Sequence, residues 1–180
     1  MDNVSYLAQS AFPLVWIAVP AIGAHLRARR ATSPRERLEI WQRWWAIGAF
    51  GIGSLWMTVA FLAFPDVMAT AIGFHRTPFL FEIAFANLGL AVMGFRAASA
   101  SARERITIGL GGGMFLWGAV VGHLYQWFAN GDHAPGNTGG VLANDILIPA
   151  VMIILAVRSQ RLAAAPRPRP ASAPGASATA

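Results

Sequence analysis

The chain contains no cysteine and no lysine, and charged residues make up only 12% of its 180 positions. Without cysteine, disulfides, thiolate nucleophiles and cysteine-ligated zinc sites are excluded. A typical soluble domain carries about a quarter charged residues, whereas 56% of this chain is hydrophobic and its mean hydropathy is +0.49. The composition therefore argues against a soluble globular domain and excludes a disordered chain.

Five apolar runs are long enough to form helices that cross a membrane, which takes roughly 17 to 25 mostly apolar residues. These runs are residues 10–26, 44–64, 79–95, 106–128 and 141–157. They predict an all-α fold, an integral membrane bundle of about five transmembrane helices in one domain that covers residues 1–162. The rest of the chain, residues 163–180, contains only Ala, Pro, Arg, Ser, Gly and Thr, and we expect a disordered tail there.

The positive charges predict the orientation of the bundle. Thirteen of the fourteen arginines lie in three segments, 27–43, 96–105 and 158–169, and only Arg76 lies elsewhere. Because basic residues are retained on the cytoplasmic side, the N-terminus is predicted to lie outside and the C-terminus inside a cytoplasmic (inner) membrane. The expected partner is the lipid bilayer. Nucleic acid is not an expected partner, since the basic clusters are split over three segments beside a membrane.

Two local patterns refine the second span. Ser33 followed by Pro34 and Glu36 is typical of a capped helix start with a capping-box glutamate. The helix is expected to begin at the membrane surface and to continue into the span. Three tryptophans near the start of this span are expected in an interfacial aromatic belt: Trp41, Trp44 and Trp45.

The fourth span carries two pairs of glycines at the spacing that lets helix backbones approach closely. They are Gly109 with Gly113 and Gly118 with Gly122. This pattern fits packing inside the bundle or homodimerisation, and both interpretations stay open.

Polar side chains inside the spans form the candidate site. Such groups are costly in a bilayer, so they usually face the bundle interior or water. These residues are Glu82, Asn87, His123, Gln126, Asn144 and Asp145. At 1.5 Å per residue, Glu82, His123 and Asp145 each lie ~5 to 8 Å below the outer boundary of their span. The equal depth predicts that these three side chains converge.

The ordered combination of motifs resembles a family of small bacterial multi-pass membrane proteins of unknown function, over residues 41–155. The matching motifs are Ile72-Gly73-Phe74, Pro78-Phe79-x-x-Glu82, Ala86-Asn87-Leu88, Gly122-His123, Pro135-Gly136-Asn137-x-Gly139 and Asp145-Ile146-x-Ile148-Pro149. The resemblance implies an integral membrane protein and singles out three of these polar residues, Glu82, His123 and Asp145. It also singles out Asn137, which is expected on the loop above them. In size and architecture the chain is also loosely similar to DoxX-like small membrane proteins, which are tied to respiratory or redox complexes.

Three functions fit these observations. The polar cluster could fix the helices of a structural or accessory protein, bind or transport an ion or small polar ligand, or serve a membrane enzyme or redox subunit. The residues expected to bind a ligand are Glu82, Asn87, His123, Gln126, Asn137 and Asp145. No motif requires catalysis, so we assign no catalytic residue, and the sequence identifies neither a cofactor nor a metal. A homo-oligomer or a partner within a membrane complex remains an alternative for assembly.

Overall fold

The computed structural model describes residues 2–164, and these form helices and connecting turns with no strand. The helices are α1 (Asn3–Ala11), α2 (Val15–Ala28), α3 (Pro34–Trp44), α4 (Gly53–Ala63), α5 (Pro65–Ala71), α6 (Phe79–Ala97), α7 (Ala102–Asn130), α8 (Pro135–Thr138) and α9 (Gly140–Ala164). A 3₁₀ turn, Phe12–Leu14, joins α1 to α2, and a π-helical segment, Trp45–Ile52, joins α3 to α4. The predicted all-α class is confirmed.

Five helical stretches are long enough and apolar enough to span a membrane. They are Asn3–Ala28, Pro34–Ala63, Phe79–Ala97, Ala102–Asn130 and Pro135–Ala164. The first begins well before the predicted boundary, since the Asp2 carboxylate caps it by accepting a hydrogen bond from the Ser5 amide at 2.7 Å. The fifth continues past its predicted end at residue 157, because residues 158–164 are mostly Arg, Gln, Leu and Ala, which are good helix formers. Ala163 and Ala164, expected in the tail, are helical, and residues 165–180 of that prediction lie outside the described residues.

The capped start of α3 is confirmed. The Ser33 hydroxyl accepts a hydrogen bond from the Glu36 amide at 3.1 Å, and Pro34 occupies the first helical position. The Glu36 carboxylate, however, bonds the amide of Thr32 at 2.8 Å, one residue before the amide that a capping box uses. The first interaction satisfies an amide that the helix itself leaves free, and the second satisfies an amide of the preceding turn.

The aromatic-belt prediction is wrong for Trp45. This side chain is only 3% exposed and lies in the main core with Phe50, Leu90 and Met152. Its indole N–H donates a hydrogen bond to the carbonyl oxygen of Ile148 in α9 at 2.8 Å. Because α3 runs without a break into the π-helical segment, residue 45 turns toward the bundle interior and its polar N–H finds a partner there.

The first glycine pair of the fourth span packs inside the bundle. Gly109 and Gly113 are buried, and a methyl group added at either would press on Ile153 or Pro149 of α9. Gly118 and Gly122 have no such neighbour within 4 Å. Close packing of α7 against α9 therefore accounts for the first pair only.

The two ends of the bundle differ in character. At the arginine-rich end, formed by residues 27–43, 96–105 and 158–164, Arg105 pairs with Glu39, and Arg96 pairs with Glu104. Arg105 itself is buried, although its place in the sequence suggested only a loop arginine. The opposite end, where the loop between α7 and α9 meets α1 and α5, holds the polar residues of the candidate site.

Candidate functional site

Three of the predicted polar residues meet at the end opposite the arginines. His123 lies near the end of α7, Asn137 in the short helix α8, and Asp145 in the second turn of α9. The His123 Nδ1 atom lies 2.7 Å from the Asn137 Oδ1 atom, and its Nε2 atom lies 3.8 Å from Asp145 Oδ2. We call His123, Asn137 and Asp145 the polar cluster.

The hydrogen bonds of Asn137 fix the arrangement of this cluster. Its amide nitrogen donates to the carbonyl oxygen of Asp132 at 3.0 Å, so its carbonyl oxygen faces His123. An amide oxygen only accepts hydrogen bonds, and we therefore assign a proton to Nδ1 of His123. Nε2 faces the Asp145 carboxyl group, so attraction between the two requires a second proton, either on Nε2 or on the carboxyl group.

The polar cluster is largely enclosed. The Asn137 residue is 1% exposed, and the side chains of His123 and Asp145 are 19% and 12% exposed. A buried polar group is costly without a partner. The oxygen and the nitrogen of the Asn137 side-chain amide both form hydrogen bonds. Among residues 2–164, the polar group that approaches the Asp145 carboxylate is His123, at a distance beyond a hydrogen bond.

Close packing, rather than turn formation alone, explains the glycines around Asn137. A methyl group added at Gly136 would lie 2.7 Å from the carbonyl oxygen of Ala71 at the end of α5. One added at Gly139 would lie 2.7 Å from backbone atoms of Ser10 in α1. The loop therefore fits between α1 and α5 only because these positions lack side chains.

A second contact joins this loop to the end of α5. Gly73 has a φ of 76°, a left-handed conformation that follows the helix and favours glycine. The Asp132 carboxylate occupies the space beside Gly73 where a side chain would begin. One of its oxygens accepts a hydrogen bond from the Ala134 amide at 2.9 Å, and the other is buried with no hydrogen-bond partner among residues 2–164.

The first helical stretch belongs to the same assembly. The Tyr6 hydroxyl of α1 donates to the carbonyl oxygen of His133 at 2.9 Å and lies 3.3 Å from the Thr138 hydroxyl. The Asn144 side chain of α9 donates to the carbonyl oxygen of Pro13 at 2.7 Å. These bonds connect the first helical stretch to the loop between α7 and α9 and to α9 itself. The sequence did not indicate Tyr6 because it lies outside the predicted span.

The other candidate residues do not join the polar cluster. Glu82 is exposed, and Leu80 and Ala84 on either side of it face Phe61 in a separate small core. Asn87 is buried and donates to Ile83 of its own helix, and Gln126 bonds Asn130. Equal depth was not sufficient for convergence, because it does not fix the direction in which a helix face points. Among residues 2–164, no three His, Asp or Glu side chains are arranged to hold a metal ion.

Comparison with known proteins identifies the family but no activity. No curated protein and no solved structure matches the chain. A family of unknown function, DUF6790, matches residues 10–165, a range that includes the whole polar cluster and, apart from the first seven residues of Asn3–Ala28, all five long helical stretches. The chain therefore belongs to the DUF6790 family of unknown function.

Proposed function

We propose that the chain is a multi-pass protein of the cytoplasmic (inner) membrane with a structural or accessory role. In this proposal the polar cluster fastens the loop between α7 and α9 over the end of the bundle. The observation that carries it is Asn137, which is 1% exposed and bonds the loop backbone and His123 at once. A group enclosed and satisfied in this way stabilises an arrangement of helices more readily than it captures a ligand.

The orientation can be tested by single cysteines, since the native chain has none. The exposed positions Asn3 and His133 lie at the polar end, and Thr32 and Ser101 lie at the arginine-rich end. Cysteines at Asn3 and His133 are expected to react with a membrane-impermeant thiol reagent in intact cells. Cysteines at Thr32 and Ser101 are expected to react only after permeabilisation, because the arginines hold that end in the cytoplasm.

Permeabilised cells serve as the control for accessibility in the labelling experiment. All four cysteines should react there, since all four positions are exposed. Labelling of Ser101→Cys in intact cells would contradict the proposed orientation.

The structural role of the cluster predicts a stability defect. Asn137→Ala leaves the His123 imidazole and the Asp132 carbonyl oxygen without their partner. We expect a loss of about 1 to 3 kcal/mol for each buried group left unsatisfied, seen as a lower melting temperature in detergent. Asn130→Ala is the matched control. Asn130 is exposed and bonds one neighbour on its own helix, so its removal should change stability by about 0.5 kcal/mol or less.

Binding of a small cation is a second candidate, favoured by the enclosed Asp145 carboxyl group and its single, long approach to His123. Under this function, Mg²⁺ or Zn²⁺ would raise the melting temperature of the native chain, and Asp145→Asn would abolish that rise. Under the structural function, neither metal would raise the melting temperature of the native chain. The Asn137→Ala variant would still melt at a lower temperature than the native chain. An unaltered melting temperature in Asn137→Ala would contradict the structural role.

A further inference from the structure

A groove at the arginine-rich end runs between α3 and α9. It has a volume of about 760 Å³ and combines an apolar wall with a basic rim. The apolar wall includes Leu38, Trp41, Val151, Ile154, Leu155 and Leu162. The rim consists of Arg37 on one helix and Arg158 and Arg161 on the other.

The rim arginines have no acidic partner in the part of the chain that the structure describes. The nearby acids of α3 are engaged elsewhere, since Glu36 bonds Thr32 and Glu39 bonds Arg105 and Arg43. The inner half of α9 contains no acidic residue. Three arginines therefore line one groove without an acidic partner among the described residues, which favours a ligand with negative charge.

We propose that this groove binds an anionic phospholipid. The three arginines bind the phosphate of the headgroup, and an acyl chain lies along the apolar wall, in contact with Leu38, Trp41 and Ile154 among its residues. Arginine suits a phosphate because its planar guanidinium group can donate two parallel hydrogen bonds to phosphate oxygens. The inference rests on the proposed membrane location but goes beyond it, because it assigns a defined lipid site rather than general contact with the bilayer.

The groove favours a lipid over a soluble anion or a zwitterionic lipid. A soluble phosphate would contact the arginine rim but leave the apolar wall uncovered. A lipid can contact both, because its headgroup is charged and its acyl chains are apolar. A zwitterionic headgroup also carries a positive charge, which the three arginines of the rim would repel. Basic pockets between transmembrane helices at the cytoplasmic side are a known type of site for anionic headgroups.

Lipid titration of the full chain in a neutral detergent tests the proposal. Phosphatidylglycerol is expected to raise the melting temperature in a saturable way, and phosphatidylcholine is expected to do so much less. The double variant Arg158→Gln/Arg161→Gln should bind phosphatidylglycerol roughly tenfold more weakly or worse, since each arginine contributes to headgroup attraction. If this variant cannot be purified, Arg37→Gln on the opposite wall provides the same test with a smaller loss.

A charge-matched control separates a defined site from diffuse attraction. Arg29 and Arg103 are exposed arginines outside the groove, and Arg29→Gln/Arg103→Gln removes the same two charges. This control should bind phosphatidylglycerol like the native chain. Equal weakening in both double variants would overturn the proposal, as would equal stabilisation by phosphatidylcholine or by glycerol phosphate without acyl chains. These outcomes are independent of cysteine labelling, which tests membrane orientation alone.

Discussion

Replacing Gly94 by alanine is expected to destabilise the bundle severely. Gly94 of α6 faces Gly51 of the π-helical segment, and an added methyl carbon would lie 2.5 Å from the Gly51 backbone nitrogen. Backbone atoms in a packed helix cannot move aside as the end of a flexible side chain can. Overpacking of this kind typically costs about 1 to 3 kcal/mol and sometimes more, and backbone contact places Gly94→Ala at the upper end. The measurement is the melting temperature and the monodisperse yield in detergent.

The same helix contains a matched control. Gly89 lies five residues earlier in α6, and an added methyl group there meets nothing within 4 Å. Alanine is a better helix former than glycine by about 1 kcal/mol, so Gly89→Ala should be neutral or slightly stabilising. If both variants melt at the same temperature as the native chain, α6 does not pack against the π-helical segment as described.

The sequence predicted the five long helices because each one must be apolar along its length and must satisfy its own backbone hydrogen bonds. Those requirements can be read from a single segment. How each helix is rotated about its axis depends on its neighbours, and a single segment does not contain that information. Glu82 shows the consequence, since its depth was read from the sequence but its side chain lies on an exposed face.

The polar end shows a second limit of the sequence. The contact of Tyr6 with His133 joins residues that are 127 positions apart, and no local pattern marks either residue as a partner. Asn137 was identified only through family resemblance, because a polar residue in a glycine-rich loop usually indicates a turn. In the structure it is the most enclosed member of the cluster.

Arg105 shows the same limit at the arginine-rich end. In the sequence it is one of three arginines between the third and fourth spans, and the positive-inside rule accounts for all of them equally. In the structure it is 3% exposed. Its Nε atom donates to the carbonyl oxygen of Ala97 at 2.8 Å, and Nη2 donates to that of Ala98 at 3.1 Å. Both carbonyl groups lie at the C-terminal end of α6, where the helix itself supplies no donor, and that of Ala97 also accepts a hydrogen bond from the Ala100 amide at 3.3 Å.

Arg105 also forms a bidentate ion pair with Glu39 of α3, with N–O distances of 2.7 and 2.9 Å. One side chain of α7 therefore ties together α3, α6 and α7. We expect Arg105→Met to cost about 2 to 5 kcal/mol, because it removes the guanidinium donor from two carbonyl groups at the end of α6 and from the Glu39 carboxylate. The exposed neighbour Arg103 provides the control, and Arg103→Met should change stability by about 0.5 kcal/mol or less.

The partner residue makes the test specific to the ion pair. Glu39→Leu leaves the buried Arg105 guanidinium without its carboxylate. Breaking a fully buried pair from one side costs about 3 to 5 kcal/mol, and because Glu39 is partly exposed to solvent we expect a loss below that range. Glu39 is itself 38% exposed at its side chain and retains Arg43 as a partner when Arg105 is removed. The double variant Glu39→Leu/Arg105→Met should therefore be more stable than the sum of the two single losses predicts, by about 0.5 to 3 kcal/mol. If the loss of stability in the double variant equals the sum of the two single losses, the two side chains contribute independently. That result would contradict the proposal that Arg105 connects α7 to α3 through its ion pair with Glu39.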